Sequence, residues 1–446
     1  MIEASGALLT DLYQLTMLQA YFREGMEQEA TFELFVRKFP PTRSFLLAAG
    51  LEQLLDYLQN LHFKEEDLAW LQGTGFFTPD FLDYLSNFQF KGDLYAMPEG
   101  TAFFPNEPIV RVTALLPQAQ LVETRLINLI QFQTVIASKA VRSVLAAEGR
   151  SLVDFGLRRA HGAEAGLLAA RASYLAGFTG TSNVLAAKCF GIPIFGTMAH
   201  SYIMAHDDEA DAFARFSESL PGNVTLLIDT YDTLEGARKV GNLAATLAKK
   251  GISVNWVRID SGDLGSLARD SRKILDDAGL GGCRIFASGD LDEFAIRQLL
   301  RSGAPIDSFG VGTRLVTSED APSLNCAYKL EEYAGRPRRK RSKGKDTWPG
   351  RKQVFRCFDD RGCMIQDLLT LQGDAEFGEP LLRLVMAKGK PVEPPETLDA
   401  MRQRVTDQLQ QLPPSLKVLD QPPSAYPVVI GRALQRLVTD MDHVRS

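Results

Sequence analysis

Residues 154–208 contain three short clusters of glycines, small hydroxyl residues, arginines and a histidine, with helical patterns between them. The clusters are Asp-Phe-Gly-Leu-Arg-Arg (154–159), Gly-Phe-Thr-Gly-Thr-Ser-Asn (177–183) and Gly-Thr-Met-Ala-His-Ser-Tyr (196–202). A buried core requires apolar side chains, whereas these clusters supply exposed hydrogen-bond donors and flexible backbone. This composition is typical of a site that binds phosphate and a small ring.

Two later segments, Gly289-Asp290 and Gly310-Val-Gly312-Thr313, follow predicted strands, and we expect each to open the next helix. Backbone N–H groups at a helix start bind anions, and the positive end of the helix dipole strengthens the binding. Residues 177–183 have the same small-residue character before a helical run over 184–190. A glycine after a strand often only permits a tight turn, so each segment alone is a weak signal. The three together favour a phosphate site.

Charged residues gather at the end of a strand predicted over 254–260. Asp260 and Asp263 lie on one loop, where they could share a magnesium ion, contact a ribose or cap a helix. Arg258, two positions before Asp260, points to the same face of the strand, and a guanidinium there is suited to a carboxylate ligand. His200 has small polar neighbours. A lone histidine is more often structural, but here the roles of general base and phosphoryl acceptor are both open.

The composition is ordinary for a globular protein: 446 residues, 45% hydrophobic and 23% charged, with a net charge of −6. This acidic balance argues against a nucleic-acid-binding protein. No apolar run approaches the roughly 20 residues that span a bilayer, so we expect no membrane segment. The five cysteines form no C-x-x-C pair, which favours a cytoplasmic protein without a disulfide framework or a structural zinc. The basic stretch 336–345 is interpreted as a solvated arm.

Local patterns divide the chain into an α+β first part and a barrel-like second half. The first part predicts helices and strands at 10–24, 30–39, 48–60, 65–72, 79–87 and 92–117, followed by a long helix over 118–148. From residue 151, short apolar runs end in small or acidic residues, and Asp229, Asp260 and Asp290 recur about every 30 residues, the length of a βα unit. No G-x-G-x-x-G fingerprint is present, so we predict an α/β barrel (TIM-like) with its site at the carboxyl ends of the strands. Residues 353–371 predict a strand pair, and 394–442 a return to the first part.

Six ordered motifs resemble the nicotinate phosphoribosyltransferases of the type II phosphoribosyltransferase superfamily, over nearly the whole chain. They are Thr-Asp-Leu-Tyr-Gln-Leu-Thr-Met (10–17), Phe-Glu-Leu-Phe-Val-Arg-Lys (32–38), Asp-Phe-Gly-Leu-Arg-Arg (154–159), Gly-Thr-Met-Ala-His-Ser (196–201), Val-Arg-Ile-Asp-Ser-Gly-Asp (257–263) and Pro-Gly-Arg-Lys-Gln-Val-Phe-Arg (349–356).

The resemblance implies an ATP-dependent, ligase-type enzyme of NAD biosynthesis. It would join nicotinate to 5-phosphoribosyl 1-diphosphate, with Mg²⁺ and the co-substrate ATP, and yield nicotinate mononucleotide and pyrophosphate. The implied fold is an irregular parallel α/β barrel over 118–345 and a discontinuous α/β sandwich domain from both termini, 1–117 and 346–446. The implied assembly is a homodimer with shared active sites.

The resemblance also assigns residues. Tyr13, from the facing subunit, and Phe155 would sandwich the pyridine ring, while Arg258 would bind the nicotinate carboxylate, with Thr197 beside it. Phosphates or ribose would be held by Arg158, Gly289, Asp290, Gly312, Thr313 and Lys329. His200 would be the histidine that ATP phosphorylates. We further hypothesise that Asp260 lies beneath a cation-like ribose or holds its hydroxyls. The sequence indicates no set of protein metal ligands.

Ser182 bears on substrate choice. The related nicotinamide enzymes carry an aspartate in Gly-Thr-Asp-Thr where this chain has Gly-Thr-Ser-Asn (180–183). An aspartate would repel a carboxylate substrate, whereas serine can donate a hydrogen bond to it, so nicotinate is favoured over nicotinamide. The alternatives are a nicotinamide or quinolinate phosphoribosyltransferase, a barrel aldolase that uses Lys139 or Lys188, and a non-catalytic metabolite-binding protein on the same scaffold.

Overall fold

The computed structural model describes residues 6–374, 378–421 and 423–443. The chain has a mixed α/β fold and divides into two compact units. The first unit combines both ends of the chain, Met1–Ser138 and Ser323–Ser446, and the second is Lys139–Pro322.

Helices and strands alternate along most of the chain. The helices are α1 (Leu12–Glu24), α2 (Leu51–Asn60), α3 (Glu65–Gly73), α4 (Pro79–Ser86), α5 (Leu116–Leu121), α6 (Glu123–Ala147), α7 (Ala163–Ala176), α8 (Val184–Phe190), α9 (His200–Met204), α10 (Glu209–Ser219), α11 (Thr233–Lys249), α12 (Leu264–Asp277), α13 (Glu293–Arg301), α14 (Thr313–Val316), α15 (Leu398–Gln411) and α16 (Arg432–His443). The strands are β1 (Glu29–Val36), β2 (Leu46–Leu47), β3 (Asp93–Ala96), β4 (Ala102–Phe103), β5 (Pro108–Leu115), β6 (Ser151–Asp154), β7 (Gly180–Thr181), β8 (Val224–Leu227), β9 (Val254–Ile259), β10 (Arg284–Ala287), β11 (Ser308–Val311), β12 (Cys326–Tyr333), β13 (Arg336–Pro337), β14 (Lys352–Phe358), β15 (Met364–Leu371), β16 (Glu379–Pro380), β17 (Arg383–Ala387), β18 (Lys390–Pro391) and β19 (Val428–Ile430).

The first unit is built around a seven-stranded sheet in the order β13-β12-β1-β5-β3-β17-β18. Strand β1, the third in this order, is buried along almost its whole length and pairs antiparallel with β12 and β5. The strand predicted at 30–39 is therefore confirmed, and it ends before Pro40 and Pro41 because proline cannot donate to the ladder. The predicted strand pair over 353–371 is confirmed as β14 and β15.

The second unit contains a parallel six-stranded sheet in the order β7-β6-β11-β10-β9-β8. Strands β8 and β11 are buried at every residue, as expected for a parallel sheet covered by helices. The predicted βα rhythm is confirmed, and α11, α12 and α13 each begin after an aspartate whose carboxylate accepts backbone N–H groups of the first turn.

Two details differ from the sequence prediction. The helix predicted over 118–148 is two helices, α5 and α6, which are separated at Val122. The first unit also includes residues 323–345, because β12 pairs along β1. Within that segment the basic stretch is held in part by Asp442 of α16, which pairs with Arg339 at 3.2 Å and Arg341 at 2.9 Å. Of the helices in the described ranges, none is long and apolar enough to cross a membrane.

Candidate active site

Arg258 is fixed by three side chains at the carboxyl end of the parallel sheet. Its Nε donates to Ser288 Oγ at 2.8 Å, one terminal nitrogen donates to Thr197 Oγ1 at 3.3 Å, and the other donates to Asp260 Oδ1 at 2.5 Å. The contact with Asp260 confirms that the two residues share one face of the strand. Each terminal nitrogen keeps one further hydrogen, so the guanidinium can still bind an anion.

Asp260 is the centre of a second set of hydrogen bonds. Its carboxylate accepts from Arg258 and from Ser288 Oγ, both at 2.5 Å, and its backbone N–H donates to Asp229 Oδ2 at 2.9 Å. Burial raises the pKa of Asp260, but the Ser288 hydrogen bond and the Arg258 charge outweigh it and lower the pKa below its usual value. Asp260 is therefore an ionised carboxylate. Asp263, in contrast, caps α12, so the two carboxylates of this loop have separate roles.

The Phe155 ring lies beside this charged group. The Arg258 guanidinium carbon is 5.3 Å from the ring centroid, and the Phe286 ring is stacked at 5.5 Å. Gly310 leaves room for Phe155, because a Cβ at that position would lie 2.7 Å from the phenyl ring. An aromatic face next to a fixed arginine suits a planar ring that carries a carboxylate.

The loop after β7 brings Ser182 to the same edge of the sheet. Ser182 is half-buried, and its N–H donates to the Asp154 carbonyl at 2.9 Å. Asp154 ends β6 and immediately precedes Phe155. The first two clusters identified in the sequence therefore meet in the second unit.

His200 begins α9 rather than lying in a turn. Its Nδ1 is 3.1 Å from Thr230 Oγ1, in the loop after β8. When Nδ1 is occupied in this way, Nε2 remains for a ligand or a phosphoryl group. Arg158 lies in a 3₁₀ turn (Leu157–Arg159) and is exposed.

Of the two segments predicted to open a helix, Gly312-Thr313 does so and Gly289-Asp290 does not. The N–H groups of the first turn of α13 already bind the Asp292 carboxylate, so Gly289 and Asp290 precede the helix instead of opening it. Both have positive φ, 101° and 47°, and a Cβ on Gly289 would lie 2.0 Å from the Asp260 carbonyl oxygen. Gly312 does open a helix, α14, but that helix has only four residues, so its dipole is small. Thr313 is exposed at its start.

Tyr13 and Lys329 belong to the first unit, where both meet the Glu123 carboxylate. Lys329 Nζ is 3.8 Å from Glu123 Oε1. Burial and the Glu123 and Asp11 charges raise the pKa of Tyr13. The Tyr13 side chain is 47% exposed on α1. These two predicted site residues are thus neighbours of one acidic group in their own unit.

Sequence reasoning assigned no role to several polar residues that organise these contacts: Glu123, Asp154, Asp229, Thr230 and Ser288. Asp154 and Asp229 each end an apolar run, which is a readable signal for a strand end in a parallel sheet. Ser288 and Thr230 carried no such signal. Two cavities, of about 670 and 930 Å³, lie in the first unit, and none of the predicted site residues lines them. The described ranges hold no group of three or more His, Cys, Asp or Glu side chains that could bind a metal.

Three family models match the chain in order: the nicotinate phosphoribosyltransferase N-terminal domain over residues 8–131, the nicotinate phosphoribosyltransferase family over 150–335, and the nicotinate phosphoribosyltransferase C-terminal domain over 375–438. The chain is 48% identical over 441 residues to nicotinate phosphoribosyltransferase pncB2 of Mycobacterium tuberculosis, with 99% of this chain and 94% of that protein covered. It is 43% identical over 366 residues to nicotinate phosphoribosyltransferase of Bacillus subtilis, with 80% of this chain and 74% of that protein covered.

The fold is also similar to solved structures. A crystal structure of human nicotinic acid phosphoribosyltransferase superposes with a TM-score of 0.87 at 29% identity and covers 97% of this chain and 99% of its own. The crystal structure of nicotinate-nucleotide pyrophosphorylase from Pyrococcus furiosus gives 0.75 at 25% identity, with 92% and 96% covered. From the three family models and the full-length similarity, this chain belongs to the nicotinate phosphoribosyltransferase family.

Proposed function

We propose that this protein transfers the phosphoribosyl group of 5-phosphoribosyl 1-diphosphate to nicotinate and forms nicotinate mononucleotide and pyrophosphate for NAD biosynthesis. The observation that carries the proposal is Arg258, which three side chains hold 5.3 Å from the Phe155 ring centroid. A fixed guanidinium beside an aromatic face binds a pyridine carboxylate and orients its ring nitrogen. We assign further hydroxyl contacts with the carboxylate to Thr197, whose Oγ1 accepts from Arg258, and to Ser182.

In the reaction, the pyridine nitrogen forms a bond to ribose C1 while the bond from C1 to the diphosphate oxygen breaks. The electron pair leaves with pyrophosphate, and the ring nitrogen becomes positively charged. The nitrogen is already a nucleophile, so no strong base is needed and placement should supply most of the rate. Asp260 is ionised in this site, and its charge either stabilises positive charge on the ribose or holds the ribose hydroxyls.

We assign the phosphate groups to Arg158, Lys329 and two glycine-containing turns, Gly289-Asp290 and Gly312-Thr313. Arg158 is exposed and offers five donors, and the turns bring backbone close to a ligand. The protein offers no acidic cluster for a resident ion among its described residues. We propose that Mg²⁺ enters with the substrate, bound through the diphosphate oxygens.

We propose that His200 accepts a phosphoryl group from ATP on Nε2, because Thr230 occupies Nδ1. The bond between the terminal phosphorus of ATP and its bridging oxygen breaks, a bond from phosphorus to Nε2 forms, and ADP leaves. A phosphohistidine adds about two negative charges at the edge of the sheet, which would reorganise the cations that bind diphosphate. Water later attacks the phosphorus, the bond from phosphorus to Nε2 breaks and inorganic phosphate leaves, so ATP hydrolysis would be coupled to the direction of the reaction.

We further propose a homodimer with shared active sites, in which Tyr13 of one subunit covers the ring bound at Phe155 of the other. Its support is an exposed apolar surface around Tyr13: Leu9 is 40% exposed and Leu12 is 51% exposed. In this proposal the parallel sheet forms an irregular barrel, and the N- and C-terminal segments form a sandwich domain. Mixing inactive Tyr13→Ala and Arg258→Ala proteins tests the sharing, because hybrid dimers then regain one intact site. If each variant is inactive but the mixture stays inactive after subunit exchange, the shared site is refuted.

The main test is an assay of the purified protein with nicotinate, 5-phosphoribosyl 1-diphosphate and Mg²⁺, with and without ATP, in which nicotinate mononucleotide and ADP are measured. We expect mononucleotide in both conditions and more of it with ATP. Nicotinamide in a parallel reaction should be a poor substrate. A His200→Ala variant should keep the ATP-independent rate and lose the stimulation. Retained stimulation would contradict the role of His200, and absence of mononucleotide would contradict the function itself.

A further inference from the structure

Asp154 has an unusual position, because its three oxygen atoms bind two different segments of the site. The side chain is 2% exposed at the end of β6, a strand that lies between β7 and β11. Oδ1 accepts the N–H of Gly156 at 2.8 Å, and Oδ2 accepts the hydroxyl of Thr181 at 2.7 Å. The backbone carbonyl accepts the N–H of Ser182 at 2.9 Å.

The Thr181 contact continues along the loop that carries Ser182. Thr181 Oγ1 accepts the N–H of Asn183 at 3.0 Å, and Asn183 Oδ1 caps α8 by accepting the N–H of Ala186 at 3.2 Å. Ser182 therefore lies between Thr181, which donates to the Asp154 carboxylate, and Asn183, whose N–H donates to Thr181 Oγ1. These hydrogen bonds hold the backbone on both sides of Ser182.

The Gly156 contact fixes the segment that carries Phe155. The Phe155 N–H donates to the Val311 carbonyl at 2.9 Å, so hydrogen bonds hold the backbone on both sides of the ring. A Cβ on Gly156 would lie 3.0 Å from Asp154 Oδ1 and 2.7 Å from Val316 Cβ, so this tight turn needs a glycine. The Phe155 ring itself lies against Phe286, Arg258 and Gly310.

We propose that Asp154 is a positioning residue that sets the placement of Phe155 relative to Ser182, and through it the preference for nicotinate over nicotinamide. The inference rests on the proposed function. Its physical basis is that a carboxylate can accept from two donors at once, one on each segment. An asparagine could accept from Gly156, but its amide NH₂ would then face Thr181, whose hydroxyl hydrogen would lose its acceptor.

The test compares kcat/KM for nicotinate and nicotinamide in Asp154→Asn and Thr181→Val. We expect the ratio of the two values to fall at least about tenfold in both variants, because a displacement below 1 Å weakens the oriented carboxylate more than a neutral amide. The KM for 5-phosphoribosyl 1-diphosphate should stay within about twofold of wild type, because neither variant changes a residue assigned to the phosphates. Thr181→Val keeps the test available if Asp154→Asn does not fold.

Two controls separate positioning from general destabilisation. Thr181→Ser restores the hydroxyl and should keep the wild-type ratio. Asp307→Asn removes a carboxylate that accepts the Ile285 N–H at 2.8 Å at the opposite, amino end of the sheet, and should also keep it. An unchanged ratio in Asp154→Asn and Thr181→Val, whether or not both kcat/KM values fall, would overturn this inference and leave the proposed function standing. A wild-type protein that forms no nicotinate mononucleotide would overturn the proposed function and this inference with it.

Discussion

An Arg258→Lys substitution tests whether Arg258 binds the nicotinate carboxylate. Replacing Arg258 by lysine keeps a positive charge but removes the planar arrangement of five N–H donors. A lysine ammonium cannot donate to Ser288, Thr197 and Asp260 and also form two parallel hydrogen bonds with a substrate carboxylate. The guanidinium side chain is 13% exposed, so solvent screens its interactions only weakly.

The size of the effect follows from the number of lost hydrogen bonds. A hydrogen bond between charged groups contributes about 1.5–3 kcal/mol, so the loss of one of two bonds to nicotinate lowers kcat/KM by about 10- to 150-fold. The neutral amide of nicotinamide offers only one acceptor oxygen, and a lysine ammonium can still donate to it, so kcat/KM for nicotinamide should fall by about tenfold or less. The selectivity for nicotinate should therefore decrease by about tenfold.

The assay is steady-state formation of each mononucleotide by wild type and Arg258→Lys over a range of pyridine concentrations. Arg284→Lys is the matched control, because Arg284 lies at the amino end of the neighbouring strand and contacts the Trp256 ring at 5.1 Å. The control should retain wild-type rates for both substrates. A loss of the same factor for nicotinate and nicotinamide in Arg258→Lys would refute the assignment of Arg258 to the carboxylate.

Three further predictions concern the substrate loop, the turn at Asp260 and a buried acid. Ser182→Asp should lower kcat/KM for nicotinate on the order of 10²-fold and that for nicotinamide much less, because two carboxylates repel in a half-buried site; equal changes would contradict it. Gly289→Ala should reduce mononucleotide formation by about 10²-fold, since its Cβ would lie 2.0 Å from the Asp260 carbonyl oxygen. Gly303→Ala, also at positive φ (71°) but in open space, should keep the wild-type rate. Similar losses in the two variants would show that only backbone strain matters. Burial and a neighbouring carboxylate raise the pKa of Glu107 well above 4.5. The folded protein keeps the Glu107 proton, whereas the unfolded chain releases it above about pH 4.5. The contribution of this proton to the free energy of unfolding is therefore fully present below pH 4.5 and is lost as the pH rises, by up to about 1.4 kcal/mol per pH unit. Urea unfolding at pH 5.5 and 8.0 should therefore show that Glu107→Gln increases the free energy of unfolding relative to wild type, and more so at pH 8.0. The same difference between variant and wild type at both pH values would refute this prediction.

Local patterns gave most of the secondary structure, for clear physical reasons. Apolar periodicity placed the helices α1, α2, α3 and α4 and the strand β9 within a few residues. Such patterns record which side of an element is buried. They do not record small interruptions, so the sequence predicts one helix where the structure has α5 and α6. They also do not record long-range strand pairing, so the sequence predicts a barrel that includes residues 323–345, whereas β12 pairs with β1.

The candidate site was predicted in part. The strand geometry placed Arg258 and Asp260 on one face, and their hydrogen bond agrees with that placement. The phosphate interpretation of Gly289 did not foresee that Asp292 caps α13, because a cap and a ligand use the same backbone donors. Nothing local distinguishes the two uses.

The sequence by itself determined the family, the order of its motifs and the residue types that could bind a carboxylate, a ring and phosphates. Only the tertiary structure decided which polar groups hold them in place. Ser288, which follows the neighbouring strand, accepts from Arg258, and Asp154 accepts from Thr181, 27 positions later in the chain. Such contacts depend on the register of parallel strands, which is set by packing over the whole sheet and leaves no periodic trace in any single segment.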